Sequence, residues 1–337
     1  MFEGYLGRRR LKTLIISIIV SLIILVLISN RKINIKQLHR KKQVSIERKL
    51  TSNSTPEVNI LSSIEFTNPP HFNSKSHSSN TIPIIVLSIT SNIEVRDAIR
   101  RTWAFNQDTI DIQVYFLVGT DDYTINRIRA EQMIFNDIIQ VSIPEINSFL
   151  SYKELSAMIW IRTYLPNALF YMKTEEVVIM NINNIVNKLL PVIQNVQHEH
   201  SIIGWFGSEH IIQRRKYQEF IDAIISSSSS MNINYAMNLL YIVTSKAADR
   251  MLDTLTNIEF IEIPGDLFLT GYLRDAAHIK IENLANHIKD YPYEITNGVC
   301  PEELEKNSKL LLCTSSLHFG LQYSMTEYFD AWNKLLK

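Results

Sequence analysis

Short apolar runs separated by polar segments recur along the chain from residue 82 onwards. The first run, at 82–89, is continuous and rich in β-branched residues, which is typical of a strand buried on both faces. Further strands are predicted at 113–119 and 138–143, and helices at 94–102, 152–164 and 182–194. Strands that alternate with helices predict an α/β fold with a mostly parallel central sheet.

One further strand is predicted to end in two adjacent carboxylates. Residues 170–173 alternate with a period of two, and Glu175 and Glu176 follow directly. Acidic residues at the carboxyl end of such a strand lie where α/β sheets usually bind ligands. Two carboxylates there can hold a hard divalent cation, and the cation can hold a diphosphate. A solvated acidic turn explains the same residues, so the rest of the chain must decide.

An uncharged, mostly Ile, Leu and Val segment at residues 13–30 predicts one transmembrane helix. At 1.5 Å per residue it spans about 27 Å, close to the hydrocarbon thickness of a bilayer. No small-x-small cleavage site follows it, as a signal peptide would require. We therefore predict a cytoplasmic tail at 1–12, a signal-anchor helix at 13–30, a flexible stem at 31–80 and a globular domain at 81–337. Basic residues flank the helix on both sides, so charge alone leaves its orientation open.

Composition excludes several functional classes. The 34 basic and 34 acidic residues balance, which indicates no nucleic-acid partner. Neither G-x-G-x-x-G nor the P-loop pattern occurs, which argues against nicotinamide cofactors and P-loop nucleotide binding. The only cysteines, Cys300 and Cys313, exclude a multi-cysteine zinc site, and their spacing leaves open whether they pair.

Several motifs carry a family resemblance, and they follow one another in the family's order. They are 96–103 (R-x-x-I-R-x-T-W), 115–119 (F-L-V-G), 137–140 (D-I-I-Q), 150–153 with Trp160 (L-T-x-K-T and W), 173–177 (K-x-D-D-D), 241–245 (G-Y-V-x-S), 265–271 (E-D-V-[FY]-x-x-G) and His318 with Met325 and Trp332 (H, M and W). On these motifs the chain resembles the β-1,3-galactosyltransferase and β-1,3-N-acetylglucosaminyltransferase family, whose members are single-pass Golgi glycosyltransferases.

The resemblance implies a GT-A (nucleotide-diphospho-sugar transferase) fold in the lumen of the Golgi, on a type II membrane protein. It also implies an inverting transfer of a hexose or N-acetylhexosamine from a UDP-sugar to a glycoprotein or glycolipid acceptor, in β-1,3 linkage. Such a displacement needs the leaving diphosphate neutralised, usually by Mn²⁺ or Mg²⁺, and a carboxylate that takes the acceptor proton.

The resemblance also assigns residues to these tasks. It implies Asp266 as the catalytic base and His318 as a metal ligand, and Glu176 is the candidate for the second metal ligand. The implied donor-binding residues are Arg96, Arg100, Lys153, Lys173 and Glu175. Each has an ordinary alternative: an aspartate that caps a helix, arginines on a solvated helix face, a surface lysine, or a structural histidine.

The sequence departs from the family pattern around the predicted metal. Val177 stands where the metal-binding aspartate is expected, and it has no donor atom. Gly265 replaces the glutamate before the base, and Asn238-Leu239-Leu240 replaces a glycine-rich turn, where leucine side chains could crowd a ligand. A diverged enzyme with weakened or lost metal dependence is therefore expected. The alternatives are a catalytically inactive GT-A domain that acts as a binding or partner module, and a membrane-anchored structural protein that keeps only the fold.

Overall fold

The computed structural model describes residues 64–67, 69–71, 81–105, 112–145, 149–207, 234–255, 264–289, 293–294, 300–315 and 325–336. In this described part of the chain, no helix is both long enough and apolar enough to cross a membrane. The predicted signal-anchor helix at 13–30 lies outside the described residues, as does His318.

The strands and helices alternate through most of the described chain. The strands are β1 (Phe66–Thr67), β2 (Ile82–Leu87), β3 (Ile112–Thr120), β4 (Ile138–Pro144), β5 (Phe170–Glu175), β6 (Val178–Met180), β7 (Ser201–Gly207), β8 (Tyr235–Thr244), β9 (Lys280–Asn283), β10 (Tyr293–Glu294) and β11 (Leu312–Thr314). The helices are α1 (Ile93–Arg101), α2 (Ile125–Phe135), α3 (Leu150–Tyr164), α4 (Ile182–Asn184, a π-helical turn Ile185–Leu189, then Leu190–Val196), α5 (Ser245–Leu255), α6 (π-helical Leu267–Leu273, then Arg274–Ala276), α7 (Leu284–His287), α8 (Cys300–Lys306) and α9 (Thr326–Leu335).

Within the described ranges, eight strands form the main sheet in the order β1-β4-β3-β2-β5-β8-β7-β9. The central strands β4, β3, β2 and β5 are parallel, while β8 runs antiparallel to both β5 and β7. The α/β prediction is thus confirmed, and the parallel arrangement holds for these four strands within a mixed sheet. Strands β10, β11 and β6 form a small second sheet.

The central strands are buried on both faces, which explains their unbroken apolar runs. Met172 of β5 lies in one hydrophobic cluster with Trp103, and its neighbour Tyr171 lies in a second cluster with Trp160. The alternation predicted from the sequence therefore assigns successive side chains to opposite faces of one sheet.

Part of the predicted stem belongs to the folded domain. Strand β1 pairs antiparallel with β4, with Phe66 opposite Val141. Ile64 is buried in the second hydrophobic cluster, and Phe66 packs against it. This edge segment thus packs two apolar side chains against the core, although the composition of the segment is typical of a linker.

The carboxyl ends of the parallel strands meet at one edge of the sheet. Leu87, the last residue of β2, is the register partner of Glu175, the last residue of β5. Helix α9 returns to this edge, where the Tyr328 hydroxyl donates to the main-chain oxygen of Glu176. A disulfide joins Cys300 and Cys313, whose Cα atoms are 5.5 Å apart, and so ties α8 to β11.

Candidate functional site

Asp266 stands at the start of α6, beside the carboxyl end of the sheet. Its Oδ1 accepts a hydrogen bond from the Leu267 amide at 2.9 Å. The helix-cap interpretation and the catalytic-base interpretation are therefore compatible. The cap bond engages one carboxyl oxygen, Oδ1, and a proton transfer would use the other.

Burial is the main reason that the pKa of Asp266 rises to about 7. The negative charge of Glu154 raises it further, while Lys173 and the Leu267 amide act against the rise. Glu175 adds a smaller repulsive contribution. A carboxyl group that titrates near neutral pH is suited to take a proton from a hydroxyl group.

Lys173 lies close to Asp266, Glu154 and Glu175 and is 1% exposed. Its Nζ donates to the Asn238 oxygen at 2.8 Å and pairs with Oε1 of Glu154 at 3.1 Å and Oε1 of Glu175 at 3.6 Å. Burial lowers the pKa of Lys173, but Glu154, Glu175 and Asp266 outweigh that effect and raise the pKa above its ordinary value. The structure therefore gives Lys173 the place of a buried counter-charge to three carboxyl groups.

Glu176, the predicted metal ligand, is turned into the segment between β2 and α1. Its Oε2 accepts from the Ser88 hydroxyl at 2.6 Å and from the Ile89 amide at 3.3 Å, and its Oε1 accepts from Nδ2 of Asn92 at 2.5 Å. Burial raises the pKa of Glu176 above its ordinary value, against the effect of these donors. Both carboxyl oxygens are thus committed to contacts within the protein.

The described residues do not fit a divalent metal. Val177, at the position expected for a metal-binding aspartate, packs against the hydrophobic core. Within the described ranges, no group of three or more His, Cys, Asp or Glu side chains is placed to hold a metal ion. Of the two adjacent glutamates, Glu175 is the more accessible, with 26% of its side chain exposed.

Arg96 and Arg100 are engaged inside the protein. Arg96 is fully buried, pairs with Glu131 at 2.7 Å and donates to the Ile89 oxygen at 2.6 Å. Arg100 pairs with the same glutamate at 2.7 Å and with Asp137 at 2.7 Å. The ion pairs join α1 to α2 and to the residue before β4, and the hydrogen bond to Ile89 joins α1 to the segment after β2. A contact of either arginine with the donor stays a prediction.

Lys153 likewise holds the carboxyl edge of the sheet together. Its Nζ donates to the Ser88 oxygen at 2.6 Å and pairs with Glu145 at 2.9 Å. Glu145 in turn accepts from the Gly119 amide at 2.6 Å. Directly and through Glu145, Lys153 thus connects the ends of β2, β3 and β4, which form the floor of the site. Donor contact by Lys153 also stays a prediction.

The glutamate that the resemblance places at position 265 has a counterpart in space. A Cβ atom at Gly265 would lie 1.7 Å from Oε2 of Glu154, so the carboxyl group from α3 fills that volume. Glu154 was not among the predicted site residues. The family pattern has threonine after Lys153, and the glutamate at this position departs from it, which is the sequence signal that could have singled it out. Leu239 and Leu240, which the sequence suggested could crowd a pocket, are buried in the core instead.

Comparison with known proteins places most of the globular domain in one family. A family profile described as Galactosyltransferase matches residues 94–285. The chain is 27% identical over 206 residues to the UDP-GalNAc:beta-1,3-N-acetylgalactosaminyltransferase 1 of Mus musculus, and the match covers 56% of this chain and 58% of that protein. It is 34% identical over 116 residues to the Beta-1,3-galactosyltransferase 1 of Mus musculus, covering 32% of this chain and 36% of that protein. The matches thus span little more than half, or less, of these relatives.

Two solved structures resemble the fold loosely. The apo structure of the bifunctional glycosyltransferase WbbM aligns with a TM-score of 0.44 at 7% identity, over 78% of this chain and 50% of that one. The galactosyltransferase LgtC, in complex with donor and acceptor sugar analogues, aligns with a TM-score of 0.38 at 7% identity, over 76% of this chain and 97% of that one.

Proposed function

Because the chain belongs to the galactosyltransferase family, we propose that it is an inverting, UDP-sugar-dependent glycosyltransferase of the GT-A type. It moves a hexose or N-acetylhexosamine to a glycan acceptor in β-1,3 linkage. The observation that carries the proposal is Asp266, a carboxyl group at the edge of the sheet whose pKa of about 7 suits a general base. The names of the relatives, which specify β-1,3 transfer and, for one of them, UDP-GalNAc, support the donor class and the linkage.

In the proposed reaction, Asp266 takes the proton of the acceptor hydroxyl. The hydroxyl oxygen forms its new bond to the anomeric carbon while the bond from that carbon to the diphosphate oxygen breaks. UDP leaves with the electron pair, and the sugar is inverted. Since Oδ1 of Asp266 accepts the Leu267 amide, we assign the proton to Oδ2.

Glu175 is the proposed donor contact with the best access, because its side chain is partly exposed at the end of β5. The buried Lys173, on the same strand, pairs with the carboxyl group of Glu175. We propose that Arg96, Arg100 and Lys153 serve the donor site through the ion pairs that fix its floor. A divalent metal would neutralise the diphosphate, but Glu176 and Val177 offer it no suitable donor set, so we propose that metal dependence is weakened or lost.

We further propose that the full protein is anchored in the Golgi membrane by residues 13–30, with the catalytic domain in the lumen. The disulfide between Cys300 and Cys313 supports an oxidising compartment. Under this proposal its acceptors are glycoproteins or glycolipids.

A transfer assay tests the proposed activity. The full chain is incubated with UDP-galactose, UDP-GalNAc or UDP-GlcNAc and with β-galactoside and N-acetylglucosaminide acceptors. We expect one donor to give a product in which NMR shows a β-1,3 bond. Product in another linkage would contradict the proposed regiochemistry, and no product from any pair would contradict the activity.

The state of Glu176 and Val177 favours a second candidate, a catalytically inactive GT-A domain that binds UDP-sugars, glycans or a protein partner. Calorimetric titration of UDP, with Mn²⁺ and with chelator, separates the candidates when it is combined with the transfer assay. Binding without turnover supports the second candidate. Binding with turnover supports the first candidate. A protein that neither binds UDP nor transfers sugar would keep only the fold.

A further inference from the structure

Glu154 is a carboxyl group held deep in the site by α3. It is 3% exposed, and its Oε1 accepts the Tyr241 hydroxyl at 2.6 Å and pairs with Lys173 Nζ at 3.1 Å. Buried carboxylates are costly unless they are paired and hydrogen-bonded, and both conditions are met here. These two contacts fix the orientation of the group and turn its other oxygen, Oε2, towards Gly265.

Gly265 provides the space that this orientation requires. A Cβ atom at position 265 would lie 1.7 Å from Oε2, 2.8 Å from Cδ and 3.0 Å from Cβ of Glu154. No side chain fits there while Glu154 keeps its position. The carboxyl group is therefore seated against the main chain of the residue that directly precedes Asp266.

The charges around Asp266 do not balance if every group is ionised. Glu154 approaches from α3, Glu175 and Lys173 from β5, and Tyr241 from β8. Burial and the neighbouring negative charges raise the pKa of Tyr241 well above its ordinary value, so its hydroxyl stays neutral. Three carboxyl groups thus share one ammonium group, and a like charge close to a carboxyl group disfavours its ionisation.

We propose that Glu154 is a positioning residue of the active site: its carboxyl group, held by Tyr241 and Lys173 and seated against Gly265, lies beside Asp266 and controls proton uptake by that base. This inference rests on the proposed function, in which Asp266 is the base. Glu154 itself does not touch the substrate. It acts through Asp266, so that proton uptake by the base takes place near neutral pH.

The first test needs no activity. The difference in unfolding free energy between wild type and Asp266→Asn is measured against pH in the full chain, and it levels off where Asp266 ionises. In a Glu154→Gln background we expect this free-energy difference to level off about one pH unit lower, because a like charge has been removed. In a Glu154→Asp background, which keeps the charge, it should level off closer to the wild-type pH. Glu154→Thr, shorter and neutral, replaces Glu154→Gln if that variant does not fold.

If Glu154 has a purely structural role, its replacement would lower stability by the same amount at every pH and would leave the pH of levelling off unchanged. An unmoved point in the neutral variants therefore overturns the inference. In the transfer assay, the acidic limb of the pH profile of kcat should shift to lower pH by the same interval in Glu154→Gln, and KM should change less than about twofold.

The two proposals fail in different ways. A wild-type protein that transfers no sugar overturns the proposed function, and the unfolding measurements still decide the role of Glu154. A wild-type protein that transfers sugar, but whose acidic limb does not move in Glu154→Gln, overturns the inference alone.

Discussion

Replacing Asp266 by asparagine should stabilise the protein at neutral pH while it removes activity. Asparagine keeps an oxygen for the Leu267 amide, but it never carries a charge. In the wild type, the pKa of Asp266 rises from 3.8 to about 7 on folding, chiefly through burial. The folded protein therefore holds a proton that the unfolded chain releases between these two values, and stability falls as the pH rises through that window.

The size of the effect follows from the same two values. A difference of about 3 pH units corresponds to about 4 kcal/mol at 1.36 kcal/mol per unit. We expect Asp266→Asn to match the wild type near pH 4, to gain stability steadily up to pH 7, and to be more stable by at most about 4 kcal/mol at pH 8.

Urea unfolding of the full chain at several pH values, followed by tryptophan fluorescence, measures this difference. Asp249→Asn is a matched control, because Asp249 is 52% exposed and pairs with Arg162 at the surface. A surface ion pair contributes little, so this control should differ from the wild type by less than about 1 kcal/mol throughout. If Asp266→Asn is equally or less stable than the wild type at pH 8, the argument from burial and repulsion is refuted.

Three further predictions concern the surroundings of the site. Val177→Asp should make UDP binding strengthen on addition of Mn²⁺, as measured by calorimetry, and an unchanged titration would place the diphosphate elsewhere. Replacing both Cys300 and Cys313 by serine should lower the free energy of unfolding by about 3 kcal/mol, because the disulfide restricts the unfolded chain by closing a loop between residues 13 apart in sequence; unchanged urea unfolding would contradict this. Glu131→Gln should cost about 3–5 kcal/mol, since it removes the counter-charge of the fully buried Arg96, and a loss below about 1 kcal/mol would show that the pair is dispensable.

The periodic elements of the fold could be predicted because their signals are local. The β-branched run before residue 88 and the alternation at 170–173 follow directly from burial on one or both faces of a sheet. The antiparallel direction of β8 gave no such signal, since strand direction depends on connections rather than on side-chain periodicity. The edge strand at Phe66 was hidden by the polar composition of its neighbours.

The candidate site was only partly predictable. Asp266 could be singled out by a motif, but its surroundings come from α3, β5 and β8, which are distant in sequence. The partner of Arg96 lies on another helix, at Glu131, so a local pattern could suggest only a solvated face or a ligand contact. The link between Gly265 and Glu154 is likewise visible only in space, where one residue lacks a side chain and the other fills the gap.

The pH dependence of sugar transfer, measured side by side for the wild type and Asp266→Asn, tests whether Asp266 is the base. We predict a wild-type rate that rises through about pH 7 with a single ionisation, and a variant at least about 100-fold slower at pH 8. Asp249→Asn should follow the wild-type profile. An Asp266→Asn variant that transfers sugar at the wild-type rate would contradict the assignment of the base.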